Sequence, residues 1–145
     1  MGILTNIIAA EEDEIEAIGE SLEPVAEWSG ITLRDVGIAK IATLHCVLTG
    51  DLFDDAYVLY QPIYMSEAEG ALVLRLADAA MERLGELDEE ALDAFAAELV
   101  ATEEFEASGW EEEDIVEMLA ALADLARLAE AQGQALFVWL HPLRT

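Results

Sequence analysis

The sequence predicts a single α+β domain over residues 1–145, with a small, mostly antiparallel sheet packed against several helices. Three observations predict this class. Apolar strand-like segments lie at both ends and in the middle of the chain, helical periodicities fill the stretches between them, and no repeat or linker divides the chain. With 145 residues, 54% of them hydrophobic, the chain can bury a core of its own, which excludes an intrinsically disordered protein.

The first two predicted elements are a strand and a short helix. Residues 3–9 are apolar and rich in β-branched side chains, which favours a buried strand. Ile15, Ile18 and Leu22 then follow one another at spacings of three and four residues. This periodicity predicts an amphipathic helix that ends before Pro24.

A loop and a longer helix are predicted next. The Ser29-Gly30 pair is typical of a loop, which also carries Trp28. Residues 38–49 are predicted to be helical, with Gly50 as the C-terminal stop. The predicted buried face of this helix consists of Ile38, Ile41, His45 and Leu48.

The middle of the chain is predicted to hold an edge segment and a second strand. Residues 51–55 are interpreted as a loop or a single helical turn. Residues 57–64 are interpreted as an extended edge segment, because Pro62 excludes a central strand there. Residues 71–76 predict a buried strand, and a short helix is predicted over about 77–86.

A helix with a defined end follows this strand. Asp88 is predicted to cap it. If the helix continued past about residue 101, Glu103 and Glu106 would turn onto its buried face, so we predict a break near Thr102. The apolar stripe of this helix consists of Leu92, Phe95, Ala96 and Leu99.

The longest helix is predicted over roughly residues 109–132. Ser108 and Glu111 have the spacing of a capping box at its start, and Gly133 is the predicted stop. Residues 135–140 are the final predicted strand. The apolar stripe of the helix consists of Ile115, Met118, Leu119, Leu122, Leu125, Ala126 and Ala129.

The charge of the chain is strongly negative and excludes several classes of partner. The 32 Asp and Glu residues outnumber 6 Lys and Arg, which gives a net charge of −26. Nucleic acids and anionic membranes are excluded, because both are bound through Lys and Arg. The longest apolar runs are far shorter than the roughly 20 residues that span a bilayer. The single Cys46 and the absence of a signal-peptide pattern predict a cytoplasmic protein.

Four acidic clusters stand out, at residues 11–14, 88–90, 103–106 and 111–114. Three of them occupy the first turns of predicted helices, where carboxylates complement the helix dipole. The cluster at 103–106 has no such explanation. The acidity is therefore interpreted either as a solvated surface, including salt-adapted or GC-rich composition, or as a surface that binds a basic protein. The predicted partner-binding residues are Glu103, Glu104, Glu106, Glu111, Glu112 and Glu113.

The sequence contains no fingerprint of a known chemistry. No catalytic motif or metal-ligand spacing is present, so no catalytic residue, metal site or cofactor is predicted. His45 is the most notable polar residue because it shares a helix face with apolar side chains. It is interpreted either as a buried structural histidine or as part of a ligand pocket with Trp28 and Tyr60. Cys46 is interpreted as a core residue.

Several short motifs occur in a recognisable order along the chain. They are Met1-Gly2, Ile15, Ile18, Ser21, Asp35, Lys40, Leu44-His45, Leu48-Thr49-Gly50, Arg83-Leu84, Leu87-Asp88, Leu92 and Gln132-Gly133. In this order they resemble the YfbM-like proteins, a bacterial family of unknown function with an α+β fold. The chain departs from the family at Ile41 and Ala42, where the family tends to have a tryptophan, and matches it poorly over 51–70. The resemblance implies the fold and no particular activity.

Two functional hypotheses follow from the sequence. The favoured one is a non-enzymatic interaction module of the immunity-protein or inhibitor type, which binds a basic protein through its acidic surface. The alternative is a small ligand-binding domain or enzyme with a pocket near His45. A homo-oligomer built on an exposed apolar strand or on the last helix is compatible with either hypothesis.

Overall fold

A computed structural model describes residues 3–68 and 70–142. Its single α+β domain contains one sheet of five strands. These are β1 (Leu4–Ala10), β2 (Gly30–Arg34), β3 (Tyr64–Met65), β4 (Leu72–Arg75) and β5 (Ala135–His141). The strand order is β2-β1-β5-β4-β3, and every neighbouring pair is antiparallel. The predicted fold class is confirmed. Strands β1, β4 and β5 begin and end within one residue of the limits predicted for them.

The helices pack on the two faces of this sheet. They are α1 (Ile15–Glu20), α2 (Pro24–Glu27), α3 (Ile38–Thr49), α4 (Phe53–Leu59), α5 (Asp78–Gly85), α6 (Glu89–Val100), α7 (Glu103–Glu106) and α8 (Glu112–Gln132). A 3-10 turn over Glu12–Glu14 precedes α1. Helix α3 has the predicted limits, and Gly50 and Gly133 end α3 and α8 in left-handed conformations with φ of 84° and 68°. No helix in the described ranges is long and apolar enough to cross a bilayer.

Strand β5 lies at the centre of the sheet and is buried along its whole length. Its alternate side chains enter two separate cores. Leu136 and Val138 join the larger core beneath α3, α5, α6 and α8, whereas Phe137 and Trp139 join a smaller core beneath α1 and α2. The sheet is therefore covered on both faces, which explains why β5 is a continuous apolar run rather than an alternating one.

The interpretation of residues 57–64 as an extended segment was wrong over its first half. Residues Phe53–Leu59 form α4, and only Tyr64–Met65 pair as an edge strand. Ala56 and Tyr60, four residues apart, are fully buried because α4 packs on α3. The segment is helical because this face packs on α3, and Pro62 lies beyond the end of the helix.

The interpretation of Ser29-Gly30 as part of a loop missed a strand. Gly30 begins β2, which pairs with β1 over five residues. A Cβ atom at Gly30 would lie 2.5 Å from the carbonyl oxygen of Ile7, so glycine allows the two strands to approach at this point. Glycine was therefore a sign of close strand contact rather than of a loop.

Two details of the predicted helices were also wrong. The first helix ends at Glu20, so Leu22 does not extend its apolar stripe and is 56% exposed. The box that caps the last helix is formed by Glu111 and Asp114 rather than by Ser108 and Glu111. The predicted break near Thr102 is confirmed, because α6 ends at Val100 and α7 begins at Glu103.

Candidate functional site

His45 lies in the interior and holds together a chain of hydrogen bonds. Its side chain is 1% exposed, with Nδ1 2.8 Å from Oη of Tyr60 and Nε2 2.7 Å from Oδ2 of Asp51. The backbone N–H of Ala77 donates to Oη of Tyr60 at 3.2 Å. The three hydrogen bonds are compatible with one another if Tyr60, which accepts from Ala77, donates its own proton to Nδ1 of His45. The proton on Nε2 is then donated to Asp51.

The network shifts the pKa values of two of its members. The hydrogen bond from His45 is the largest cause that lowers the pKa of Asp51, whose side chain is half exposed. Burial raises the pKa of Tyr60 to about 12. The order carboxylate–imidazole–hydroxyl is the order of a catalytic triad. Here the hydroxyl belongs to a tyrosine with no exposed surface, so it cannot meet a substrate from solvent in this conformation. The network links α3, α4 and the start of α5.

The three residues of the predicted ligand pocket do not come together. His45 and Tyr60 are in contact, with ring centroids 5.5 Å apart, in the larger core. Trp28 packs against the smaller core on the other face of the sheet, where its Nε1 donates to Glu14 at 3.0 Å. Trp28 therefore shares no cavity wall with the other two.

An open groove of about 570 Å³ lies between β2 and the first half of α8. We call it the β2–α8 groove. Its floor includes the half-buried side chains of Ile31 and Leu33, together with Met118. Asp114 and Glu117, both exposed, line it from α8. Arg34 of β2 is exposed and lines the groove from the opposite side. The groove is therefore apolar at its base and acidic along the α8 side of its rim.

A second cleft of about 480 Å³ adjoins the groove at Ser108 and contains Lys40, the only lysine of the chain. Lys40 is 9% exposed, and its Nζ donates to the carbonyl oxygen of Asp35 and to Oγ of Ser108, both at 2.6 Å. Nζ also lies 5.9 Å from the ring centroid of Phe105. Burial lowers the pKa of Lys40, and the nearby charges of Asp35 and Glu104 act in the opposite direction.

Lys40 and Phe105 fix helix α7 on α3. Phe105 has no exposed surface and packs edge-on against Trp110, with ring centroids 5.4 Å apart. The packing of these two rings fixes the turn between α7 and α8 on the protein interior, while Glu103 and Glu106 of α7 are exposed. Sequence reasoning did not assign Lys40 this role, although a lone lysine in an acidic chain was a usable signal.

The predicted acidic residues all lie on α7 and at the start of α8, and of these six Glu104 lines the second cleft. All are exposed except Glu104, which is partly buried beside Lys40. Glu111 has a structural role as well, since it caps α8 with Asp114. The groove floor was missed from the sequence because β2 was not predicted. Within the described ranges, no group of three or more His, Cys, Asp or Glu side chains is placed to hold a metal ion.

Comparison with solved structures relates the architecture to one bacterial protein. An alignment covers 94% of this chain and 99% of a crystal structure described as a protein of unknown function from Escherichia coli, with 15% sequence identity and a TM-score of 0.46. The chain resembles YfbM. The matched protein belongs to the family that the sequence motifs resemble, and the sequence identity is low. Met1-Gly2, part of the motif series, lies outside the described residues. No protein-family model and no curated protein matches the chain. YfbM itself has no stated function, so it adds none to the groove or to the His45 network.

We expect Tyr60→Phe to destabilise the protein by about 1–3 kcal/mol, because it leaves the N–H of Ala77 and Nδ1 of His45 buried without a partner. Tyr57→Phe is the matched control, since Tyr57 is 40% exposed, and its effect should stay within about 0.5 kcal/mol. Urea denaturation followed by circular dichroism measures both. Equal midpoints for the two variants would contradict the proposed hydrogen-bond chain.

The lowered pKa of Asp51 predicts a pH dependence of stability. Because the pKa of Asp51 in the folded protein lies below the ordinary value of 3.8 for this group, the pair with His45 stabilises the fold fully above that pH. The stabilisation is lost as the pH falls through the folded pKa. The gap in urea midpoint between the wild type and Asp51→Asn should therefore be largest above about pH 4 and shrink on acidification. Asp93→Asn, which removes an exposed carboxylate of α6, should show no such trend. A gap that widened in acid would refute this account of Asp51.

Proposed function

We propose that this chain is a non-enzymatic interaction protein that binds a basic protein through an acidic surface, in the manner of an immunity protein or inhibitor. The surface consists of the exposed carboxylates of α7 and the first turns of α8, together with the rim of the β2–α8 groove. The observation that carries the proposal is the combination of an acidic rim with an apolar groove floor. The rim would steer and orient a basic partner, and the floor offers apolar surface to bury.

In the part of the chain that the structure describes, the carboxylates of α7 and of the first turn of α8 form no ion pair. Among the described residues, ion pairs are formed by His45, Arg75 and Arg127. Lys40 is close, but it is buried and its ammonium group is occupied by Asp35 and Ser108. A surface of this kind attracts cations over distances set by the ionic strength.

The proposal predicts that neutralising this surface weakens binding of a basic probe. The probe is an octalysine peptide, and its dissociation constant is measured by calorimetry at about 50 and about 300 mM salt. Neutralisation should weaken binding by about ten-fold or more at low salt, and much less at high salt, because exposed charges are screened there. The substitutions are Glu103→Gln, Glu104→Gln, Glu106→Gln, Glu112→Gln and Glu113→Gln, combined in one variant.

A control variant removes the same number of negative charges from other exposed surfaces. It combines Glu16→Gln, Glu23→Gln, Glu82→Gln, Glu86→Gln and Glu130→Gln. If net charge alone governs binding, the two variants weaken it equally, and the proposal fails. If binding depends on this surface, the control variant retains most of the wild-type affinity.

A separate apolar surface favours self-association as a second property. In the described part of the chain, eight large apolar side chains are exposed, and seven of them lie within residues 52–65. Leu52, Val58 and Met65 are 73%, 70% and 61% exposed. Clusters of exposed apolar side chains mark protein interfaces. We infer that two copies associate through this segment when salt screens their like charges.

This self-association has a salt dependence opposite to that of the basic probe. Sedimentation equilibrium should show a monomer at low salt and increasing dimer at about 0.5–1 M salt, where the charges are screened. Val58→Ser should reduce dimer formation, whereas Leu22→Ser, at an exposed leucine outside the segment, should not. A monomer at all salt concentrations would exclude the dimer.

A further inference from the structure

We propose that the outer edge of β2 receives an extended basic segment of the partner by strand addition, with the segment lying along the β2–α8 groove. This inference rests on the proposed function and specifies how the partner is held. It assigns a role to backbone groups of Thr32 and Arg34, in addition to the carboxylates.

The register of the sheet determines which backbone groups of β2 face outwards. The N–H of Asp35 donates to Ile3, and the carbonyl oxygen of Ser29 accepts from Ala9. In an antiparallel ladder such bonded positions alternate, so residues 29, 31, 33 and 35 face β1. The N–H and C=O groups of Thr32 and Arg34 therefore face away from the sheet. Within the described part of the chain, no backbone group bonds to them.

The edge lacks two of the features that protect a strand from pairing, namely a proline and a β-bulge. Strand β2 contains no proline, and its five residues pair with β1 in continuous register. The other edge strand, β3, has only two residues. Of the two edges, β2 is the one long enough to template an additional strand.

The side chains beside this edge indicate the chemistry of the added segment. Ile31 lies opposite Ile7 in the β1–β2 pair, and both contribute to the larger core, so the Ile31 and Leu33 side chains point towards α8. Alternate side chains of an added strand point in the same direction. Long cationic side chains fit this position, because their aliphatic stems can cover the apolar floor while their charges reach Asp114 and Glu117.

Arg34 also lines the groove, but its side chain leaves the backbone on the other face of the sheet. It lies opposite Leu4 in the β1–β2 pair, and Leu4 packs against the smaller core. Residues directly opposite one another in an antiparallel pair share a face, so the Arg34 side chain lies on the α1–α2 face of the sheet. The carboxylates of Asp114 and Glu117 therefore remain on the α8 side, which an added strand would face.

The test uses the acetylated and amidated octapeptide (Arg-Thr)4 as probe, in which every second residue is basic. Thr32→Pro removes one outward N–H without removing a bond to β1, because Thr32 is a non-bonded position of that pair. We expect it to weaken peptide binding by about ten-fold. Thr32→Val, which keeps the N–H and changes only the side chain, should bind like the wild type.

Two further measurements do not depend on the proline variant folding correctly. The peptide (Arg-Pro)4 has the same charge but lacks alternate N–H groups, and it should bind wild-type protein about ten-fold more weakly than (Arg-Thr)4. The amide protons of Thr32 and Arg34 should exchange at least several-fold more slowly when (Arg-Thr)4 is bound, because strand addition hydrogen-bonds them.

The outcomes separate this inference from the function on which it rests. Equal binding of the two peptides, with unchanged exchange at Thr32 and Arg34, would overturn strand addition. The proposed function would still stand if neutralising α7 and α8 weakened binding in that case. If neutralisation had no effect but the amides were protected, the acidic surface would be dispensable and the proposed function would fail instead.

Discussion

The pairing of β1 with β5 is the constraint on which the rest of the molecule depends. These two strands come from opposite ends of the chain and align over seven residue pairs at the centre of the sheet. Because both faces of β5 are buried, each face requires a covering layer, and the intervening chain supplies α1 and α2 on one side and the larger helices on the other. The same arrangement places β2 and β3 at the sheet edges.

The acidic surface also depends on an interior contact. Helix α7 has only four residues and is too short to be stable alone. Phe105 and the bonds from Lys40 hold it against α3, so the position of Glu103, Glu104 and Glu106 follows from packing beneath them. A buried cation in a chain of net charge −26 thus organises the carboxylates rather than neutralising the surface as a whole.

Prediction from sequence succeeded where the apolar periodicity of a segment and its terminating residue indicated the same element. Helix α3 has a clear apolar face and a glycine stop, and its limits were predicted without error. Prediction failed where a distant partner decided the local structure. Residues 53–59 became helical because Ala56 and Tyr60 pack on α3, and Gly30 belongs to a strand because β1 approaches it closely. Of the candidate pocket, His45 and Tyr60 meet, whereas Trp28 lies across the sheet, a relation that no local pattern encodes.

The sequence by itself determined the class of the fold, the strands at both chain ends, the long C-terminal helix and the sign of the charge, since these depend on composition and short-range periodicity. Only the tertiary structure decided the order of the strands, the burial of His45 against Tyr60 and Asp51, the anchoring of α7 by Lys40 and the groove beside β2. These features join residues far apart in the chain, and their geometry depends on how the two layers pack on the sheet.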